Sequence, residues 1–387
     1  MRRIALNIRL NFMHKKFLNI ITANVFGCLF AASFAYADIN IAVIAPREGE
    51  YAKVGKELID GARIAVDDIN MQGGLNGQKI NLIAIDDRCD DVFAVSTAQM
   101  LAVNRSPKDK MHLVVGPYCS NAFKEASGIY AKAGIFQIVP TPISTDASSE
   151  PHAGLLKMLA GNERQSLDFF KFYLENFDGE NVALVYDSQL RDVVEVAFSV
   201  QQEFNKSGKS QHLKTFNFAN YENSYGKMAE NILEEKTALA LILGKSRDIA
   251  KLAKKLKQED ENFVVFTNKY QAQARFEEEL GKRASGTYFL ALPSLKDNPE
   301  FTEILVKLRL LGVEPEGLSV YSYSAVNLWR DLAERAGSFA YQDLVKNLNG
   351  NKFETAWGEV EFVNGQPVQP LNYAIYCLDN GEYTQVY

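Results

Sequence analysis

Histidine and cysteine are scarce in this chain of 387 residues, four of each. After the N-terminal segment the histidines are His112, His152 and His212, far apart and without metal-ligand spacing. No Gly-x-Ser-x-Gly elbow occurs. Gly244-Lys245-Ser246 has the tail of a phosphate-binding loop, but Leu239 stands where its first glycine is required. Gly73-Gly74-Leu75-Asn76-Gly77 reads as a turn between helix and strand rather than a dinucleotide fingerprint. Asp86-Asp87 and Asp90-Asp91 suggest either a cation site or helix caps, and at a strand end before a helix capping is the plainer reading. These absences give no reason to expect an enzyme, a metal or a cofactor.

Long apolar runs are equally few. Ile20 to Phe34 follows Arg2, Arg3, Arg9, Lys15 and Lys16 and ends in Ala35-Tyr36-Ala37. A basic head, a short apolar core and small residues at the junction predict a secretory signal peptide cleaved after Ala37, which places the mature chain in the periplasm. The run is short, carries Asn24 and has no stop-transfer pattern, which argues against an anchor. Met13 is an alternative start, and Val25-Phe26-Gly27-Cys28 an imperfect lipid-attachment box. No later segment is apolar enough to span a bilayer. Without the five basic residues of the leader the formal charge falls from −6 to −11, which disfavours nucleic acid and anionic membranes as partners. Three hundred and fifty mature residues suggest two domains.

From Ile39 the chain alternates strands and helices. Strands are predicted at 39–44, 79–85, 112–116 and 135–139, with helices over about 54–69, 93–104 and 121–133 between them. The order repeats: strands at 181–186, 213–218, 238–243 and 262–267, helices at 190–206, 224–235 and 247–258. Such arrays predict parallel sheets with right-handed crossovers, hence two similar doubly wound lobes with a cleft between them. A third stretch, about 292–370, is largely helical (300–311, 321–335, 339–349), closes on Gly358-Glu359-Val360-Glu361-Phe362, and should dock onto one lobe. Cys89 and Cys119 each follow an apolar strand, so a bridge between them would staple two adjacent loops at the ligand-binding edge of a sheet. Cys377 is left without an obvious partner and reads as a small buried core residue.

Several blocks resemble the leucine/isoleucine/valine-binding protein family, the type I periplasmic solute-binding proteins of ABC transporters. They are Gly61-Ala62 through Gly77, Asp86-Asp87-Arg88-Cys89-Asp90, Val115-Gly116-Pro117-Tyr118-Cys119-Ser120, Tyr323-Ser324-Ala325-Val326 and Trp357-Gly358-Glu359-Val360-Glu361-Phe362. The resemblance covers essentially the whole mature chain. It implies a Cys89–Cys119 disulfide and an α/β fold of two doubly wound, flavodoxin-like lobes joined by a three-strand hinge. Lobe I would comprise 38–158 plus 292–370, and lobe II 159–291 plus 371–387. It implies a monomer that captures a small carboxylate-bearing solute, an amino acid or related acid, by hinge closure and delivers it to a membrane ABC permease. A periplasmic sensor that hands its closed shape to a membrane receptor is the alternative.

The family's pocket maps here onto Ser120, Thr141 and Ile143 for the ligand carboxylate, with Ser144 or Thr145 as a substitute hydroxyl where the family threonine is Ile143. Ser120 is expected both to cradle an anion and to N-cap the helix that follows. Other positions depart from the family: Val54 replaces a pocket aromatic, Arg191 replaces a tyrosine, and no acid stands near Lys269-Tyr270 to receive an ammonium. Arg191, Lys245 and Lys269 would then line a basic wall and favour an anionic solute, unless Glu48 or Glu163 supplies the missing acid.

Overall fold

Buried at every position, Ile39-Asn40-Ile41-Ala42-Val43-Ile44 has the composition of a strand covered on both faces of a parallel sheet. The computed structural model describes residues 39–386 apart from 50, 104–105, 144–151, 162, 222–223, 273–275, 296–298, 311–316 and 370. The expected leader over 1–37, Ser144 and Thr145 lie outside these residues. The first array is β1 (Ile39–Ile44), α1 (Ala52–Met71), β2 (Ile80–Ile85), α2 (Asp91–Ala102), β3 (Met111–Val115), α3 (Ser120–Lys132), β4 (Phe136–Val139) and β5 (Leu155–Lys157). Its five strands lie in the order β2-β1-β3-β4-β5, all parallel. Helix α2 starts two residues before its expected position. The Asp90 carboxylate accepts from the N–H groups of Val92 at 2.9 Å and Phe93 at 3.0 Å, the capping role read for this acidic run. Strand β5 is absent from the expected strands, because three residues are too few to show a period.

The second array is α4 (Glu163–Asn176), β6 (Asn181–Tyr186), α5 (Arg191–Lys206), β7 (Leu213–Asn217), α6 (Tyr225–Glu234), β8 (Thr237–Leu243), α7 (Ser246–Glu259), β9 (Val264–Asn268), the short helices α8 (Lys269–Ala272) and α9 (Phe276–Leu280), and β10 (Thr287–Ala291). The chain ends here with β14 (Ala374–Asp379) and β15 (Glu382–Gln385), antiparallel additions to a seven-stranded sheet of order β15-β14-β10-β9-β8-β6-β7. Read from its far edge, the parallel part runs β7-β6-β8-β9-β10, the same order as the first sheet. The repeat visible in the sequence is therefore a repeat of topology. Cys377 on β14 is half-buried rather than enclosed, because on its face of the strand it stands between buried Ile375 and exposed Asp379 at the strand's end.

The third stretch forms α10 (Thr302–Leu310), α11 (Ser319–Ala336), α12 (Tyr341–Leu348) and a small antiparallel sheet of β11 (Lys352–Thr355), β12 (Gly358–Val363) and β13 (Gln366–Pro367). It docks onto the first array. Helix α11 lies so close to α1 that a Cβ at Gly61 would overlap the Ser319 carbonyl oxygen, which is why a glycine stands there. The Ser322 hydroxyl donates to the Leu58 carbonyl at 2.6 Å, and Lys307 pairs with Asp68 at 2.9 Å. Where strands pass from one sheet to the other, the passages are tied together. Asp168, paired with Arg164 at 3.1 Å, accepts from the Tyr373 N–H at 3.1 Å, and the Ser294 N–H donates to the Tyr376 hydroxyl at 2.5 Å.

Cys89 and Cys119 are disulfide-bonded, with Cα atoms 5.3 Å apart and a sequence separation of 30. Closing such a loop stabilises the fold by about 3–4 kcal/mol on the chain-entropy model. Beside it Asp87 is wholly buried. Its Oδ1 accepts from the Cys89 N–H at 3.2 Å, while Oδ2 has no hydrogen-bond partner. Burial, opposed by that hydrogen bond, lifts its carboxyl from 3.8 to about 6. The folded state holds this proton more tightly than the unfolded state, so the stability Asp87 contributes is present below about pH 4 and is lost as pH rises through 6. Asp87→Asn should therefore stabilise the protein at pH 7 by about 2–3 kcal/mol, with the advantage vanishing near pH 4. Denaturant unfolding of both proteins across this range measures the difference.

Candidate functional site

Each sheet reverses direction beside its first strand, between β1 and β3 in one and between β6 and β8 in the other. Loops leaving such a switch point diverge and leave a crevice at the carboxyl ends of the strands. Here the two crevices meet. A hollow of about 310 Å³ is lined by Tyr51, Tyr118, Cys119 and Asn121 from the first array and by Gln189, Leu190, Arg191, Asp192 and Val193 from the second. Gln165, Asn268, Pro142, Leu318 and Tyr373 complete the wall. Another hollow, about 700 Å³, lies against the β12 hairpin and the third passage between sheets and is lined by Lys352, Glu359, Glu361, Lys171 and Gln369 among others. It is larger, but it lacks a helix N-terminus and lies away from both switch points, so the smaller hollow is the candidate site.

Two helices begin at this crevice. Helix α3 starts at Ser120, directly after the half-cystine, and α5 starts at Arg191, after a turn in which Asp187 accepts from the Gln189 N–H at 2.9 Å. Their N-terminal ends both carry partial positive charge. The Asp192 carboxylate lies in the first turn of α5 and lines the hollow, and Ser120 at the start of α3 favours its charged form. Asp192 Oδ1 is buried without a partner, and burial outweighs the effect of Ser120, so its carboxyl lies above the ordinary aspartate range. Ser120 is the first helical residue rather than the cap. Cys119 is the N-cap and supplies no side-chain bond.

Three carboxylates gather at one end. Glu195 follows Asp192 by three residues, hence on the same face of α5, and acts on Glu163 and on Lys157. Glu163, at the start of α4, is raised above the usual glutamate range by burial and by Glu195, with Lys157 opposing. A Cβ at Gly161 would collide with the Glu163 carboxylate, so the glycine makes room for it in the first passage between sheets. Lys157, buried at the end of β5, sits 5.5 Å from the Phe123 ring and is lowered by desolvation against the pull of the two glutamates.

Of the residues expected from the sequence, Arg191 lines the hollow, while Ser120 is buried between the lining residues Cys119 and Asn121 and does not line it. Thr141 precedes the lining residue Pro142. It is fully buried, and its Oγ1 has no hydrogen-bond partner. Ile143 does not line the hollow but packs with Phe123, Val139 and Leu155. Ser144 falls outside the described residues. Val54 is buried in the core, and the aromatic wall comes instead from Tyr51 and Tyr118, whose ring centroids are 5.6 Å apart, with Tyr373. The basic wall is not assembled. Lys245 reaches toward Asp187 at 4.0 Å, and Lys269 lies 4.5 Å from the Tyr383 ring and 5.5 Å from that of Tyr376, with neither lining the hollow. Glu48 is exposed.

Sequence reasoning misses Asp192 and Tyr373, which line the hollow, and Glu195 and Lys157, which act on its acidic end. The one signal for Asp192 is its position at a helix start after the strand beside the second switch point. The buried cluster gives one prediction. In Lys157→Met the two glutamates lose their counter-charge at neutral pH, while at low pH a buried ammonium is no longer left without an anion. Relative to the parent, the variant should gain about 1 kcal/mol or more as pH falls from 7 to 4.5, read from denaturant midpoints.

Comparison with known proteins places this geometry. A Leu/Ile/Val-binding protein of Rhizobium johnstonii is 24% identical over 367 residues, covering 94% of this chain and 98% of the relative. A leucine-binding protein of Thermotoga maritima superposes with a TM-score of 0.78 at 18% identity, over 90% of this chain and 98% of that one. A solute-binding protein of R. palustris solved in complex with benzoate gives 0.75 at 16%, over 90% and 95%. The two structural likenesses show the fold of two α/β lobes. The family model for periplasmic binding proteins matches residues 38–381, nearly the whole chain after the expected leader. The chain belongs to the periplasmic binding protein family, whose members bind solutes rather than transform them.

Proposed function

We propose that the chain is the periplasmic solute-binding component of an ABC transport system of the branched-chain amino acid type, and that it captures a small carboxylate-bearing solute. The observation that carries this reading is the Ser120 cradle. The hydroxyl and N–H of Ser120 stand at the start of α3, and the start of α5 at the same hollow adds a second end favourable to a carboxylate. Leucine and benzoate, named with two proteins of this fold, share a carboxylate and an apolar body. The apolar body would pack against Tyr51, Tyr118 and Tyr373.

The mechanism is capture without chemistry. Lobe I, residues 38–158 plus 292–370, offers Ser120, Thr141 and the neighbouring loop. Lobe II, residues 159–291 plus 371–387, adds Arg191 as the passages near Leu159, Ala291 and Leu371 flex. A solute drives closure only to the extent that it binds the shut form more tightly. The closed monomer then presents both lobes to a membrane permease.

Thr141 supplies the sharpest test. Its buried hydroxyl has no protein partner, so a solute carboxylate is its natural acceptor. Mass spectrometry of compounds released from natively purified protein should yield one bearing a carboxylate, and calorimetry with that compound should give about tenfold weaker binding to Thr141→Val. The melting temperature of the ligand-free variant should be unchanged or higher, since an unsatisfied hydroxyl is removed. Release only of compounds lacking a carboxylate would overturn the reading.

A further inference from the structure

Helix α2 is apolar on two sides. Its inner face sets Ala94, Ala98 and Leu101 into the core with Ala42, Ile44 and Val114 of the sheet and Ala122 and Ala126 of α3. Its outer face carries Val92, Phe93, Met100 and, at the end of the helix, Val103, which are 72%, 42%, 58% and 54% exposed. At about 100° per residue these four fall with exposed Ser96 and Gln99 inside an arc of roughly 120°, opposite the buried residues. Ile83 on β2 is also exposed, and it faces the α2 side of the sheet because Ile85, two residues on, packs against that core. None of these residues lines either hollow. A helix apolar all round is normally covered all round, and the described residues cover only one face of this one.

The stripe mirrors itself about Ser96. Val92 and Met100 stand four residues to either side of it, and Phe93 and Gln99 three. A second copy laid antiparallel about a two-fold axis through Ser96 sets Val92 against Met100 of that copy, and Phe93 against its Gln99. The small serine lets the two helices cross closely. Charge follows the same symmetry. Asp86, Asp90 and Asp91 against Arg88 surround the start of α2, whereas Lys108 and Lys110 against Asp109 follow its end. Arg88 is drawn inward over the Phe93 ring at 4.2 Å, and the Lys108 carbonyl is held at the start of β1 by the Asn40 amide at 2.7 Å. Antiparallel pairing therefore brings a net negative end to a net positive one, and opposes the two helix dipoles. The negative charge of the mature chain disfavours an anionic membrane as the cover. An unrelated protein would have no need of a stripe that mirrors itself.

We propose that the outer face of α2 pairs two copies of this chain, antiparallel about Ser96. The family resemblance implies a monomer, and here each such monomer is one half of a reversible dimer. Twelve residues make about 18 Å of helix, so the interface belongs to the small, transient class rather than the obligate one. Because α2 lies wholly within the first array and its outer face touches neither hollow, pairing leaves the crevice and the passages between the sheets free. The pairing stands independently of what the crevice binds.

Sedimentation equilibrium of the mature protein between about 1 and 200 μM should show the mean mass climbing from one copy toward two. Ser96→Arg sets two like charges on the axis at an exposed position, so it should fold as the parent does and associate roughly tenfold more weakly. Ser96→Cys should form an intermolecular disulfide on mild oxidation, since a residue on the axis meets its own copy, whereas Gln202→Cys, exposed on α5, should not. A parent that stays a single copy at the highest concentration overturns the proposal, whatever else covers the face. A dimer that survives Ser96→Arg unchanged overturns it too, because the interface then lies elsewhere. Should Ser96→Arg fold poorly, the two cysteine variants decide, and equal cross-linking of both counts against the pairing. Failure of the solute-binding reading registers separately, in the compounds released from native protein, and leaves these masses unchanged.

Discussion

A parallel sheet whose chain turns back beside its first strand must leave a notch, and this protein contains two such sheets with their notches facing. Everything at the site follows from that constraint. The loops after β1 and β3 and the loop after β6 converge because strand order sends them to the same place. Helices α3 and α5 start there because a right-handed crossover begins wherever a parallel strand ends. Two helix N-termini at one hollow form an electropositive seat, and the Asp192 carboxylate lines it.

The elements are legible in the sequence because their residues carry strong periods. β1 and β8 are apolar runs buried nearly throughout, and α7 sets Ile249, Leu252, Ala253 and Leu256 along one face. The echo between the halves is legible too, since strand, helix and strand recur at similar spacings. What stays hidden is anything decided by three residues or fewer, or by the meeting of distant segments. β5 has no period to display. The final two strands join the second sheet only because the chain returns to it after more than eighty residues, a fact of topology that the family resemblance supplies and periodicity does not.

The site is half legible for a related reason. Ser120 and Arg191 stand out because each follows a strand at a switch point. Asp192 stands beside Arg191, yet its partner lies 72 residues away in the other array, and no local pattern announces a contact of that span. Spacing in the family pattern points to Val54 as the pocket's missing aromatic, while the loop geometry brings Tyr51 to the wall instead. Position alone points to Lys245 and Lys269 as pocket cations. In the fold each finds a nearer partner, Asp187 for one and the rings of Tyr376 and Tyr383 for the other.

The buried polar atoms left unsatisfied among the described residues are not scattered evenly. Thr141 Oγ1, Asp192 Oδ1 and Glu163 Oε2 all lie at the crevice or on the passage that borders it. Other such atoms lie away from the crevice, among them the Thr287 hydroxyl on β10 and the Trp329 indole N–H on α11. Each costs about 1–3 kcal/mol when nothing answers it, so their gathering at the crevice is stability given up in the ligand-free state. Packing alone supplies no reason for such a gathering, since an apolar side chain of similar shape would fill each position without the penalty. The pattern makes sense where a second molecule brings the missing donors and acceptors. Several of these failures of local satisfaction adjoin the place where the two sheets leave a hollow between them.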